Sequence, residues 1–416
     1  MKVLWICNIL FPEAEALLLN KAAMTSSGGW MVGMADKISI LDDIHLSVVT
    51  VSGKVHEMVE LKGNTITYYI LPAKGYALYW RKLAEHLSPD IVHIHGTETF
   101  WGMSYVSCVG VHNVVVSIQG LLSIIARYYF AGLTYREILS CMTIRDIYKG
   151  GICRERTLFK RNSQYETFLL EKVKYVIGRT TWDKDHVWAI NPKAQYFLCN
   201  EILRKEFYMS RKWCYSKCRP HTIFLSQGGY PLKGLHMLLK ALPLIMRHYP
   251  DTIVRIAGKD LLSQNSLRDK LLLTSYANYI RKLIHDLSLS RHVQFTGPLN
   301  AEAMIEEYLS ANVFVCPSSI ENSPNSLGEA QILGVPCVSA YVGGIPDMVP
   351  DDACGFRYRF EEIEMMAKYI CKIFDLKDKY DNEKMINIAT CRHDAEKNSK
   401  MLVAIYNTII NESGKH

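Results

Sequence analysis

Long apolar runs are missing from this chain. No stretch is long and uninterrupted enough to cross a bilayer as a helix, so a helical membrane-spanning protein is not expected. A small-residue cleavage site is missing too. The opening MKVLWICNILFPE has one early lysine and a short apolar run, and reads as a first buried strand rather than a secretory leader. Cysteine is plentiful, at 12, but framework spacing is lacking. Cys7, Cys108, Cys199, Cys316 and Cys337 sit in apolar, strand-like runs, the pattern of reduced thiols in a cytoplasmic protein. Cys214 and Cys218 have no second pair of ligands, and His93 and His95 have no further ones, so no metal site is expected. Strong charge is absent: the net value is +7, with 21% charged and 49% apolar residues. That describes a globular protein with a mild preference for anionic partners. A length of 416 residues suggests two domains.

The most informative stretch is 313–350, VFVCPSSIENSPNSLGEAQILGVPCVSAYVGGIPDMVP. The apolar run 313–316 reads as a buried strand that ends at Pro317. Ser323 before Pro324 is a helix start, with Ser323 as N-cap and Pro324 first in the helix. Leu327, Ala330, Ile332 and Leu333 continue that helix, and Gly334 and Pro336 stop it. A second strand, 337–340, leads into Gly343-Gly344-Ile345-Pro346. The first helical amides, near Asn325, Ser326 and Leu327, have no partners within a helix, and such an end suits phosphate. Glu321 and Glu329 frame them, and Gly328 opens the backbone to a ligand. A phosphate flanked by two carboxylates that accept from hydroxyls matches the order of parts in a nucleotide sugar. A lone Glu near a helix start would mean little, since it simply favours the dipole. The pair together with its neighbours carries the reading.

In the first half, 3–10, 38–41, 45–51, 65–71, 89–96, 113–119 and 173–178 read as strands. Ser26 or Ser27 is placed to cap a helix near Gly28-Gly29, a turn of the kind that approaches phosphates. His93 and His95 alternate with Val92 and Ile94 and share one face, as a core or cleft-edge pair, with His95, nearest the strand's end, placed close to the cleft. Thr180 or Thr181 is placed to cap the next helix. Residues 127–161 interleave Arg and Lys with Tyr and Phe. That texture fits a solvated helical face over buried aromatics, or a surface for an anionic membrane or lipid-diphosphate acceptor. No nucleic-acid module surrounds it, so no nucleic-acid partner is expected.

In the second half, 221–226, 252–257 and 292–297 read as strands. Leu235, Leu238, Leu239, Leu242 and Ile245 have helical spacing. Lys233 stands at the start of that helix, where the dipole disfavours a cation unless an anion lies in front. A last amphipathic helix runs through Met401, Ile405 and Tyr406.

Glu321 and Glu329, inside E-N-S-P-N-S-L-G-E-A, have the E-x(7)-E spacing of retaining glycosyltransferases. Pro89-Asp90-Ile91-Val92-His93-Ile94-His95, Lys233-Gly234 and the Gly-Gly-Ile-Pro loop agree with it. The chain resembles glycosyltransferase family 4, the glycosyl transferases group 1, of GT-B fold. The resemblance implies an α/β architecture of two doubly wound Rossmann-like domains facing a central cleft. It implies an acceptor-binding domain at 1–204, a linker at 205–220, a nucleotide-sugar domain at 221–390 and a C-terminal helix, 391–416, returning to the first domain. Glu321 would contact the transferred sugar and, with Lys233 on the diphosphate, form the catalytic set. Glu329, Asn325, Ser326, Leu327, Gly28, Gly29, Gln227 and Gly297 would bind the donor, and Gln119 and His95 would lie on the acceptor side.

Three positions depart from the family. Gln119 replaces a histidine, Ser226 and Gln227 occupy the place of an arginine, and Glu201 replaces a glycine. The implied reaction is retaining, metal-independent hexosyl transfer from a nucleotide-diphosphate sugar to a glycan or lipid-linked acceptor. It needs no cofactor and serves cell-surface polysaccharide or glycolipid synthesis at the inner face of the membrane. The alternatives are an inactive nucleotide-sugar-binding partner subunit, or an isomerase or phosphorylase on the same fold.

Overall fold

The computed structural model describes residues 1–20, 29–263 and 271–414. They form two units, each with its own sheet. Met1–Ser123, Lys160–Arg204 and His393–His416 make the first, and Ile124–Phe159 and Lys205–Arg392 make the second. The chain thus enters the second unit twice, and 124–159 belongs with the later residues rather than with 1–204.

The first sheet contains β1 (Lys2–Ile6), β2 (His45–Ser52), β3 (Val59–Lys62), β4 (Thr67–Pro72), β5 (Ile91–His95), β6 (Val114–Ser117), β7 (Tyr175–Gly178) and β8 (Gln195–Leu198). Their order is β3-β4-β2-β1-β5-β6-β7-β8. All neighbours are parallel except the edge pair β3–β4. β5 is buried throughout and β1 at all but its first residue, because helices cover both faces of a parallel sheet.

Two expectations change here. β1 stops at Ile6, and Pro12 opens a helix, Pro12–Leu19, where its fixed φ costs nothing. The run 38–41 is not a strand. Met31, Met34, Ala35 and Ile38 share the buried side of the helix Gly29–Ser39, and Ile40 beyond it is exposed. Alternation over four residues was outweighed by a longer helical period. The final helix, Ala395–Ser413, belongs to this unit. Its Tyr406 hydroxyl takes a hydrogen bond from Trp5 Nε1 at 2.9 Å and meets His93 Nδ1 at 2.6 Å.

The second sheet contains β9 (Thr222–Leu225), β10 (Ile253–Ile256), β11 (Val293–Phe295), β12 (Val313–Cys316), β13 (Cys337–Ala340) and β14 (Phe356–Tyr358), in the order β11-β10-β9-β12-β13-β14. Every pairing is parallel. The segment 205–220 packs into this unit's core through Phe207 and Trp213. Trp213 is tied by its amide to Leu333 O and by Nε1 to Ala311 O, both at 2.8 Å. The early excursion 124–159 is tied in as well. The buried His236 donates from Nε2 to Ala131 O at 2.8 Å, and Ser319 Oγ donates to Tyr128 O at 3.2 Å.

The twelve cysteines are free thiols. Among the described residues, no helix is long and apolar enough to cross a membrane.

Candidate functional site

In a doubly wound sheet, ligands bind beyond the strands' carboxyl ends, where the strand order reverses. In the second unit that point lies between β9 and β12. The loop after β9 carries Lys233 and the loop after β12 carries Glu321. Pro231–Lys233 is a 3-10 turn, and Gly234 follows at φ 69°. A Cβ on Gly234 would sit 1.7 Å from Pro317 O, so only glycine allows this approach. Ser319 N donates to Leu232 O at 2.8 Å across the same contact.

The two loops thus meet backbone to backbone, and their side chains follow. Lys233 Nζ lies 2.5 Å from Glu321 Oε1, and Ser318 Oγ donates to the same oxygen at 2.7 Å. The Tyr230 ring stands 5.9 Å from the ammonium. A third loop, after β13, closes on Glu321 from behind. Gly344 N donates to Glu321 O at 3.0 Å, and Gly343, at φ 51°, would carry a Cβ 1.8 Å from that oxygen. Both ends of the pair are largely buried, at 16% and 13% side-chain exposure. Burial alone would lower the Lys233 pKa, but the Glu321 carboxylate outweighs it and holds the ammonium above its ordinary range.

The helix after this loop is Asn325–Leu333, one residue shorter at its start than expected. Pro324 is the N-cap, with ψ 118° and no side-chain cap bond. The hydrogen-bond ladder begins with Leu327 N and Gly328 N, both donating to Pro324 O. Ser323 is not the cap. Its Oγ accepts from Arg392 Nη2 at 3.3 Å and lies against Met348 Sδ.

Lys233, Glu321, Ser318, Ser326 and Gln227 line one recess. Asn325 heads the helix, while the Leu327 side chain is wholly buried. Glu329 lies a turn further on, 6% exposed. Gly297 is not brought to the recess. It follows β11, two strands from β9, where Gly258 N donates to its carbonyl at 3.0 Å. Ser318 and Tyr230 were missed on the sequence. The three-residue spacing from Ser318 to Glu321, within a turn, was the available signal.

In the first unit the order reverses between β1 and β5. Gly29 opens its helix after β1, 3.0 Å from Arg204 Cγ by its would-be Cβ. Gly28, Ser26 and Ser27 lie outside the described residues. His95, at the end of β5, is 5% exposed and stacks on His93 with ring centroids 3.8 Å apart. Burial and the neighbouring ring hold its pKa well below the usual value, so it is a neutral core ring at pH 7. Gln119 follows β6, and its carbonyl accepts from Arg179 Nη2 at 2.8 Å. Arg179 Nη1 pairs with Glu201 Oε1 at 2.5 Å. The carboxylate that replaces the family glycine is therefore spent on a buried arginine. Nearby, burial lifts the Glu98 carboxyl to about 7, with further upward push from Glu166 and Glu201.

Residues 219–390 match the family model described as "Glycosyl transferases group 1". The chain carries a glycosyl transferases group 1 domain. Its sheet β9–β14, with Lys233 and Glu321, falls within the matched residues. The GDP-mannose-dependent alpha-(1-6)-phosphatidylinositol monomannoside mannosyltransferase of Mycolicibacterium smegmatis is 31% identical over 144 residues, 33% of this chain and 34% of that one. The matches span about a third to two fifths of the length of such curated relatives. Whole-chain similarity is to solved structures. Sucrose-phosphate synthase from Thermosynechococcus elongatus superposes with a TM-score of 0.68 at 13% identity, covering 99% of both chains. HepE from Anabaena, solved in complex with UDP-glucose, gives 0.67 at 14% identity, covering 98% of this chain and 100% of that one. The group 1 domain and its partner unit therefore have the GT-B fold.

Proposed function

We propose that this chain is a retaining hexosyltransferase that uses a nucleotide-diphosphate sugar and needs no divalent metal. The observation that carries the reading is the Lys233–Glu321 pair at the switch point of the group 1 domain, 2.5 Å apart beside the start of helix Asn325–Leu333. A cation that keeps its proton, next to helical amides, suits the negative charge that grows on a departing diphosphate. Glu321, held by Ser318 and Lys233, accepts hydroxyls of the transferred sugar, and Glu329 takes the ribose. The phosphate itself takes the acceptor's proton, which dispenses with a side-chain base. The acceptor is a glycan or a lipid-linked sugar. The solved HepE binds UDP-glucose and the mycobacterial relative is named for GDP-mannose, so both donors belong in the first screen.

A second reading has one observation in its favour. Ser226 and Gln227 stand where the family has an arginine, and a domain that binds donor without turning it over fits that loss.

Melting the protein against a panel of nucleotides and nucleotide sugars identifies the base by mass-action stabilisation. Proton NMR then reads the product made from an α-linked donor. An α-linked product, formed equally with EDTA present, is expected. A β-linked product, or activity that EDTA abolishes and magnesium restores, refutes the mechanism. Binding without any product supports the second reading.

A further inference from the structure

We infer that the face formed by the short helices Tyr135–Ser140 and Ile144–Lys149 docks on a membrane surface rich in anionic lipid. In the second helix, Ile144, Ile147 and Tyr148 follow the i, i+3, i+4 spacing of one helix side. They are 65%, 72% and 79% exposed. Leu139 and Met142, on and just after the first helix, are exposed as well. These helices are apolar on the outside, the reverse of a surface helix covering a core.

They are not loosely held. Ile138 and Asp146 are buried on their inner sides. Thr143 Oγ1 donates to Leu273 O at 2.8 Å, Asn278 Nδ2 to Cys141 O at 3.1 Å, and Tyr279 Oη to Glu137 Oε1 at 2.7 Å. The exposed apolar side chains therefore stand on an ordered base.

Charge decides which partner fits. The three acids of 124–159 all have partners within the unit. Glu137 caps Thr134 and meets Tyr279 and Lys240, Asp146 caps Thr143, and Glu155 accepts from Tyr129 Oη. Arg127, Arg136, Lys149 and Arg154 are exposed. No acid pairs with these four among the described residues. Acids turned in and cations turned out leave a positive field around aliphatic tips. Anionic head groups answer the cations, and the acyl boundary answers Ile144, Ile147 and Leu139. A nucleic acid supplies the phosphates but no apolar layer. Arg156, by contrast, is committed inward, with Nε on Ala126 O and its guanidinium 4.7 Å above Phe130. The docking rests on this surface and not on the proposed reaction.

Flotation on phosphatidylcholine vesicles, with and without phosphatidylglycerol, tests it on the full chain. The protein is expected to float with the anionic vesicles, and less so at high salt. The double variant Ile144→Glu/Ile147→Glu is expected to lower the bound fraction at least about tenfold, and Arg136→Glu/Lys149→Glu to remove the salt-sensitive part. Tyr148→Ser, a milder change, should give a smaller loss in the same direction. Melting curves with nucleotide should match the parent in every variant, since none of these residues lines the recess. A parent that stays at the bottom of the gradient overturns the proposal, as does a double variant that floats unchanged. A dimer by light scattering that the double variant dissolves, with no flotation, also overturns it and makes the face a contact between copies.

Discussion

At the scale of the residue, the pair of Lys233 and Glu321 shows what proximity adds to a motif. Each was a candidate for its own reason, one from a helix start and one from a carboxylate spacing. The structure joins them at 2.5 Å, with Ser318 on the same oxygen. A charge-assisted hydrogen bond to a bound ligand is worth about 1.5–3 kcal/mol. Lys233→Ala and Glu329→Ala are therefore expected to weaken nucleoside diphosphate binding at least about tenfold by calorimetry. Unchanged affinity in both variants would move the donor elsewhere. Glu321→Gln keeps the shape and removes the charge, and it is expected to cut kcat more than nucleotide affinity, because its contacts strengthen as charge develops on the sugar. An equal loss in binding alone would make Glu321 a simple anchor for Lys233. His95 was legible as a strand residue of a core or cleft-edge pair, but which of the two was not; it is 5% exposed. Alternation over two histidines cannot say how deep a sheet lies.

At the scale of the element, glycine decides whether the loops can meet. Gly234 sits at φ 69° with Pro317 O where a Cβ would be. Gly234→Ala must both accept a left-handed backbone and push two loops apart. A loss of at least about 1–3 kcal/mol is expected by denaturant titration, together with weaker nucleotide binding. Gly229, in the same loop, has nothing within 4 Å of its would-be Cβ. Gly229→Ala should change stability by less than about 0.5 kcal/mol. Equal effects in the two variants would mean that the loop contact does not organise the site. The Lys-Gly pair was visible on the sequence, whereas the partner of its glycine was not, because Pro317 lies far along the chain.

At the scale of the whole molecule, buried histidines set the acid limit of stability. Burial depresses His93 to about 3 and His236 to about 4, and it lowers His95 as well. The unfolded chain protonates these rings near pH 6.5 while the folded chain holds them neutral, so stability is lost as pH falls through that window. Glu98 acts in the opposite sense, since its folded carboxyl keeps a proton up to about 7 and its unfolded one releases it near 4.5. The buried Glu166 carboxyl, also raised by burial, acts with Glu98, and three histidines, one of them in the second unit, outweigh these two carboxyls. The melting midpoint is expected to fall by several degrees between about pH 7 and about pH 5. A midpoint that holds or rises over that range would contradict the burial of these rings.

The sequence by itself determined most strand positions and the second-half motifs, which rest on local physics: apolar period, turn residues, and the carboxylate spacing around Asn325 and Ser326. The fold class came through the family resemblance that those motifs carry. Two parallel sheets follow once strands alternate with helices, because each crossover must return over a sheet face. Tertiary structure decided what depends on distant partners. It placed 124–159 with the second unit through His236 and Ser319, and it turned 38–39 into the end of a helix, with 40–41 in the turn beyond it. It spent Glu201 on Arg179, and it set Lys233 against Glu321, 88 residues along the chain. No local window contains both members of such a pair, so their meeting is settled only when parallel strands β9 and β12 lie side by side.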